Sequence, residues 1–232
     1  MTDINEHSQI RAYLAVSLCI FVFTIILTVF PTERFSLFFG DIPALLVVPI
    51  IVLLGFGCMK LILSSGWFSI YKRENLRQLP QFSIIAVLFL LGAIFIDVIF
   101  PYPEDVNLLL PKSALFYPIM GYVVEILFHM IPLIILLGVL VTVFKNADRE
   151  KILFVCIMIV SLIEPLFQYM FDPSIGKPLL LEVFDGARLF LFSFVQLYIL
   201  KRYDFISMYS FRLVYYLLWH ILWGSIRLLI LF

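Results

Sequence analysis

Six stretches of about twenty mainly apolar residues, and a seventh shorter one, constrain this chain more than anything else in it. A helix needs about 20 such residues to cross the hydrocarbon core of a bilayer, and there every backbone polar group must be satisfied internally. Runs of that kind lie near 12–30, 43–63, 82–100, 114–144, 152–171 and 209–231, with ARLFLFSFVQLYIL at 187–200 the short one. The expected fold is all-α and polytopic, with about seven transmembrane helices; six spans and a re-entrant 187–200 segment form the alternative. The 114–144 run is too long for one straight perpendicular helix, and Pro118 and Pro132 point to a late start, a tilt or a kink. No internal repeat or low-complexity linker divides the chain. Residues 1–113 hold the first three helices and 114–232 the last four, in one integral domain.

Composition agrees. Of 232 residues, 63% are hydrophobic and only 14% charged, against roughly half and a quarter in soluble domains. The formal net charge is zero, so nothing points to nucleic acid; the lipid bilayer is the partner this composition demands. Cys19, Cys58 and Cys156 all fall inside apolar runs and read as small buried hydrophobes rather than a disulfide framework. The first run lacks a small-x-small cleavage pattern and reads as a retained span rather than a removed signal.

Lysine and arginine in the loops set the orientation. With the N-terminus inside, eleven basic residues (Arg11, Lys60, Lys72, Arg73, Arg77, Lys145, Arg149, Lys151, Lys201, Arg202 and Arg212) fall inside, and four (Arg34, Lys112, Lys177 and Arg188) fall outside. Arg227 lies within the last span. The bias favours a cytoplasmic N-terminus and an odd number of crossings.

Ionisable groups within spans cost about 2.5–3.5 kcal/mol each on insertion scales, and usually face a bundle interior or a cavity. Glu125 and His129 sit four apart in the fourth span, and Glu164 and Gln168 four apart in the fifth. Each pair shares one helix face. In the last span His220, Gly224 and Arg227 recur at i, i+4 and i+7, flanked by Trp219 and Trp223. Three polar stripes are buried most cheaply against one another, so a shared polar cavity in the outer half of the membrane is expected. The bland reading is interhelical bonding alone, for instance a Glu164–Arg227 ion pair. Asp97 reads as a helix-end residue, and KRYDF at 201–205 as a plain inner loop.

Carboxylates and imidazoles converging in a low-dielectric cavity can activate water and stabilise an oxyanion. Two histidines and two glutamates could also bind a divalent metal such as zinc, although the HExxH signature is absent. The residue types allow glutamate-driven or metal-driven hydrolysis and do not separate the two.

The stretch FSFVQLYILKRYDFISMYSFRLVYYLLWHILWGSIR (192–227) resembles the last conserved region of the CPBP (CAAX protease and bacteriocin-processing, or Abi) intramembrane proteases. VVEILFH resembles that family's first motif, E-E-x-x-x-R, and SLIEPLFQ occupies the place of its second, F-x-x-x-H. The resemblance covers roughly 114–232. Val124 stands at the first glutamate, His129 at the arginine, Gln168 or Glu164 at the second-motif histidine, and Gly224 at the Asn or Asp that follows His220 by four.

The resemblance implies an intramembrane endopeptidase of a bacterial inner (cytoplasmic) membrane acting on a peptide or membrane-anchored protein. Glu125 would be the base, His220 the oxyanion stabiliser and His129 the missing imidazole. An outward-leaning site would suit members of the sorting-protease (myxosortase-like) type, which process C-terminal membrane anchors of exported proteins. Two other classes compete: an inactive relative acting as an immunity or scaffold protein, and a haem carrier with His129 and His220 as axial ligands.

Overall fold

The structure, a computed structural model, describes residues 6–30, 32–171 and 177–232. These residues form helices and connecting turns with no strand among them. Seven helices are long and apolar enough to cross a membrane: α1 (Glu6–Val29), α2 (Ala44–Ser65), α3 (Arg73–Ile99), α4 (Lys112–Val143), α5 (Arg149–Met170), α6 (Leu179–Arg202) and α7 (Phe205–Ile230). The chain is an all-α polytopic membrane protein.

The 187–200 segment is neither short nor re-entrant, because α6 runs for 24 residues from Leu179. Its apolar run is diluted in sequence by Glu182, Asp185 and Arg188. In the helix Asp185 and Arg188 lie one turn apart and pair at 2.6 Å, which offsets part of the cost of carrying them. Arg188, expected in an outer loop, is therefore part of a span.

Two of the seven helices contain a π turn. α4 widens into a π turn over Glu125–Met130, where the Ile131 N–H bonds the Ile126 carbonyl. Pro132 has no N–H, and its ring clashes with the carbonyl four residues back, so the turn before it opens by one residue. α7 widens likewise over Leu217–Trp223. Such π turns are rare and concentrate at functional sites.

α4 and α7 lie at the centre of the packing. α4 contacts α1, α2, α5 and α7, and α7 contacts α3, α4 and α6. α1 turns inward the stripe Gln9, Tyr13, Ser17, Ile20, Thr24 and Leu27, a spacing of threes and fours that keeps one face on α4. Within it the Tyr13 hydroxyl bonds the Tyr122 hydroxyl of α4 and, at 2.7 Å, the Val52 carbonyl of α2. Gly55 permits that close approach, since a Cβ there would strike Tyr13 and come within 2.9 Å of Ile126. Outward faces carry exposed Leu14, Leu18, Leu53, Leu88 and Ile135, a surface that suits lipid. Cys58 and Cys156 are buried as expected, whereas Cys19 is exposed on that outward surface.

KRYDF is more than a loop. Asp204 is 1% exposed and caps α7 by accepting the Ser207 N–H at 2.7 Å. Its other oxygen takes the Lys72 N–H at 2.9 Å and the Asn75 amide at 2.6 Å. This cap starts α7 at Phe205, several residues earlier than the apolar run suggests.

Candidate functional site

Starting α7 at Phe205 puts Arg212 two turns into the span, about 10 Å from its end. Counted as an inner-loop charge from sequence, Arg212 is in fact 0% exposed and is the hub of the buried polar network. Its Nε donates to Glu125 Oε1 of α4 at 2.6 Å. Its Nη1 and Nη2 form a fork on Glu164 of α5 at 3.0 and 2.7 Å. The two remaining N–H groups go to the Tyr216 hydroxyl at 3.0 Å and Gln196 Oε1 of α6 at 2.7 Å. All five guanidinium donors are used, on four helices. A fork is the geometry arginine offers and lysine does not.

Glu125 and His129, neighbours across the π turn, are both 0% exposed. His129 Nδ1 lies 2.7 Å from Glu125 Oε2. Glu125 Oε1 takes a second bond from the Gln196 amide, so both carboxylate oxygens are engaged. Glu164 Oε2 also accepts from Ser193 of α6 at 3.2 Å, and Gln168 donates to Oε1 at 3.4 Å. His129 Nε2 stands 3.6 Å from Glu164 Oε2. It is buried with no hydrogen-bond partner, the one unengaged nitrogen in the network.

Glu125, His129, Glu164 and Gln168 therefore converge as the spacing suggested. Ser193, Gln196, Arg212 and Tyr216 complete the cluster and were not singled out from sequence. Gln196 and Ser193 sit three apart inside FSFVQL, a legible polar face in the span whose extent was least clear.

His220 and Arg227 are elsewhere. His220 Nδ1 bonds Asn107 Oδ1 at 2.7 Å, and its ring stacks on Tyr117 at 4.1 Å between centroids. Tyr216 links it to the hub, with the two rings 4.9 Å apart. Arg227 pairs with Asp97 of α3, Nε to Oδ2 and Nη2 to Oδ1 both at 2.8 Å, and not with Glu164. Its other donors reach the carbonyls of Tyr102, Pro103 and Glu104. Asp97, near the end of α3, is thus a fully buried counter-ion, and Trp223 Nε1 adds a bond to it at 2.7 Å. The pair clamps the segment 100–107 over the end of α7. There the Tyr102 hydroxyl donates to Asp185 at 2.7 Å; burial, reinforced by Asp185, pushes its phenol well above the ordinary tyrosine range.

The expected shared cavity on three helices is instead two polar layers: the Arg212 network, and a clamp nearer the end of α7. Among the described residues no three His, Cys, Asp or Glu side chains are arranged to hold a metal ion. The Arg212 guanidinium already lies between the two carboxylates, where a metal would have to sit. His129 and His220, held in separate layers by different partners, give no pair of facing haem ligands.

Chemically, the network offers an imidazole oriented by a carboxylate. A bond from Nδ1–H to Glu125 leaves the lone pair on Nε2, the tautomer a general base requires. No protein-family model, curated protein or solved structure matches the chain.

Proposed function

We propose that the chain is an intramembrane endopeptidase of the CPBP type, hydrolysing a peptide bond in or near the bilayer. One observation carries the reading: His129 Nε2 is buried and unpartnered, while Glu125 holds the opposite ring nitrogen at 2.7 Å. Carboxylate, imidazole and an open nitrogen form the arrangement that activates a nucleophile in hydrolases on unrelated folds. Here the nucleophile would be water. His129 takes its proton as the oxygen attacks the carbonyl, Glu125 orients the ring, Glu164 lies beside the imidazolium that forms, and the imidazolium gives the proton to the leaving nitrogen as the C–N bond breaks. The base is thus moved from Glu125 to His129, because both Glu125 oxygens are occupied. Substrate would be a peptide or membrane-anchored protein, including C-terminal anchors of exported proteins, and the membrane a bacterial inner membrane.

Membrane fractions from cells expressing the wild type and His129→Ala should differ in new protein termini within or beside transmembrane segments. Such termini should appear with the wild type alone, while both chains insert to equal levels. Identical sets of termini would sink the proposal.

A second reading is favoured by a specific observation: all five Arg212 donors and all four oxygens of Glu125 and Glu164 are met within the protein. A network so saturated serves as a structural lock in an inactive relative with an immunity or scaffold role. Protection or assembly that survives His129→Ala would support it.

A further inference from the structure

The end of the molecule that carries the N-terminus has a recess unrelated to the Arg212 network. It has a volume of about 360 Å³ and is lined by Glu6, Leu63, Gly66, Trp67, Phe68, Ser69, Lys72, Lys201 and Tyr203. It lies where α1 begins and α2 and α6 end, the depth of lipid headgroups. We infer that this recess binds the phosphate headgroup of an anionic phospholipid, with Lys72 and Lys201 on the phosphate and Trp67 at the glycerol level.

The walls are tied down rather than loose. Gly66 turns the chain at φ +67, a left-handed conformation that glycine adopts without strain. Ser69 and Ile70 then run alongside the start of α7, their carbonyls accepting the Phe205 and Ile206 N–H groups at 3.0 Å each. Gln9 of α1 takes the Ile70 and Tyr71 N–H groups at 2.8 and 2.7 Å. The recess is therefore formed before any ligand arrives, which lowers the ordering cost of binding.

Its chemistry suits an amphiphile. Phe68 is buried and Leu63 half-buried, offering an apolar floor. Trp67 is held by Arg149, whose guanidinium lies 4.1 Å from the ring centroid, and indoles favour this level of a membrane. Lys201 pairs with Glu150 at 2.5 Å, whereas Lys72 makes no ion pair among the described residues. Glu6, at the rim, opposes an anion. The wider face outweighs it: ten basic residues (Arg11, Lys60, Lys72, Arg73, Arg77, Lys145, Arg149, Lys151, Lys201 and Arg202) meet five acidic ones (Glu6, Glu74, Asp148, Glu150 and Asp204) among the described residues. Each lysine or arginine near a membrane surface contributes a several-fold gain for anionic lipid.

Native mass spectrometry of the full detergent-solubilised chain, titrated with phosphatidylglycerol, phosphatidylcholine or inorganic phosphate, tests this. One phosphatidylglycerol should be retained in preference to phosphatidylcholine. Lys72→Gln and Lys201→Gln should each weaken it about fivefold, Glu6→Gln should tighten it, and Lys145→Gln, on the same face but outside the recess, should leave it unchanged. Equal retention of the two lipids, or an unchanged affinity in Lys72→Gln with an unaltered melting profile, would overturn the assignment. So would inorganic phosphate that competes as strongly as the lipid, since the site would then take the free anion. Neither result bears on cleavage at His129.

Discussion

At the scale of residues, Arg212 decides more than any other side chain. Removing one partner of a buried ion pair costs about 3–5 kcal/mol, because the other charge stays buried and unpaired. Arg212→Met should therefore melt far earlier than the wild type in detergent. Arg212→Lys should fall close to it, since a point charge cannot fork on Glu164 while reaching Glu125. The triple variant Arg212→Met, Glu125→Gln, Glu164→Gln should recover most of the loss; failure to recover would mean that Arg212 acts by packing alone. The i,i+4 pairs Glu125/His129 and Glu164/Gln168 were legible in sequence because both members ride one helix. Their common partner was not, because a lone arginine seven residues beyond KRYDF reads as flanking charge until the helix start is known. That start is set by Asp204, a cap whose role depends on reaching Lys72 and Asn75 far away in sequence.

At the scale of elements, the two π turns and two close-approach glycines set how α4 and α7 sit. At Gly224 an added Cβ would lie 2.9–3.1 Å from Asn107, the residue that holds His220. Gly224→Ala should destabilise the fold by about 1–3 kcal/mol, the usual cost of overpacking, and Asn107→Ala in the same chain should relieve part of it. A melting series of the two single variants and the double reads the coupling. Equal, additive losses would show that the contact is slack. Gly55→Ala should behave in the same way, with the strain falling on Tyr13 and Ile126. Helix existence was readable from apolar length for six spans, while the shorter 187–200 run left a re-entrant alternative open for α6. The π turns were not, although Pro132 marked one of them: a proline in a long span signals irregularity without saying which kind.

At the scale of the whole molecule, moving Arg188 and Arg212 into spans leaves ten basic residues at the N-terminal end against Arg34, Lys112 and Lys177 at the other. The excess of seven is unchanged and the ratio rises once its two misplaced members are removed. Single cysteines at Lys145 and Lys112, in a background without Cys19, should be labelled by an impermeant thiol reagent from opposite sides of the membrane, Lys145→Cys only after the cytoplasmic side is opened. Labelling of both from one side would break the seven-span topology. The polar stripes predicted from sequence did find partners, but across two layers and five helices rather than three. Apolar patterning tells a helix to be buried; it carries no information on which of several buried charges will meet.

The order in which the chain is made gives Arg212 and Arg227 a further consequence. Asp97, Glu125 and Glu164 are carried by α3, α4 and α5, and both arginines that neutralise them arrive with α7. Until that helix enters the membrane, those three acids lack the arginines that neutralise them. The two polar layers therefore close only with the seventh helix, and a chain interrupted before residue 205 would leave these acids without their arginines inside the membrane.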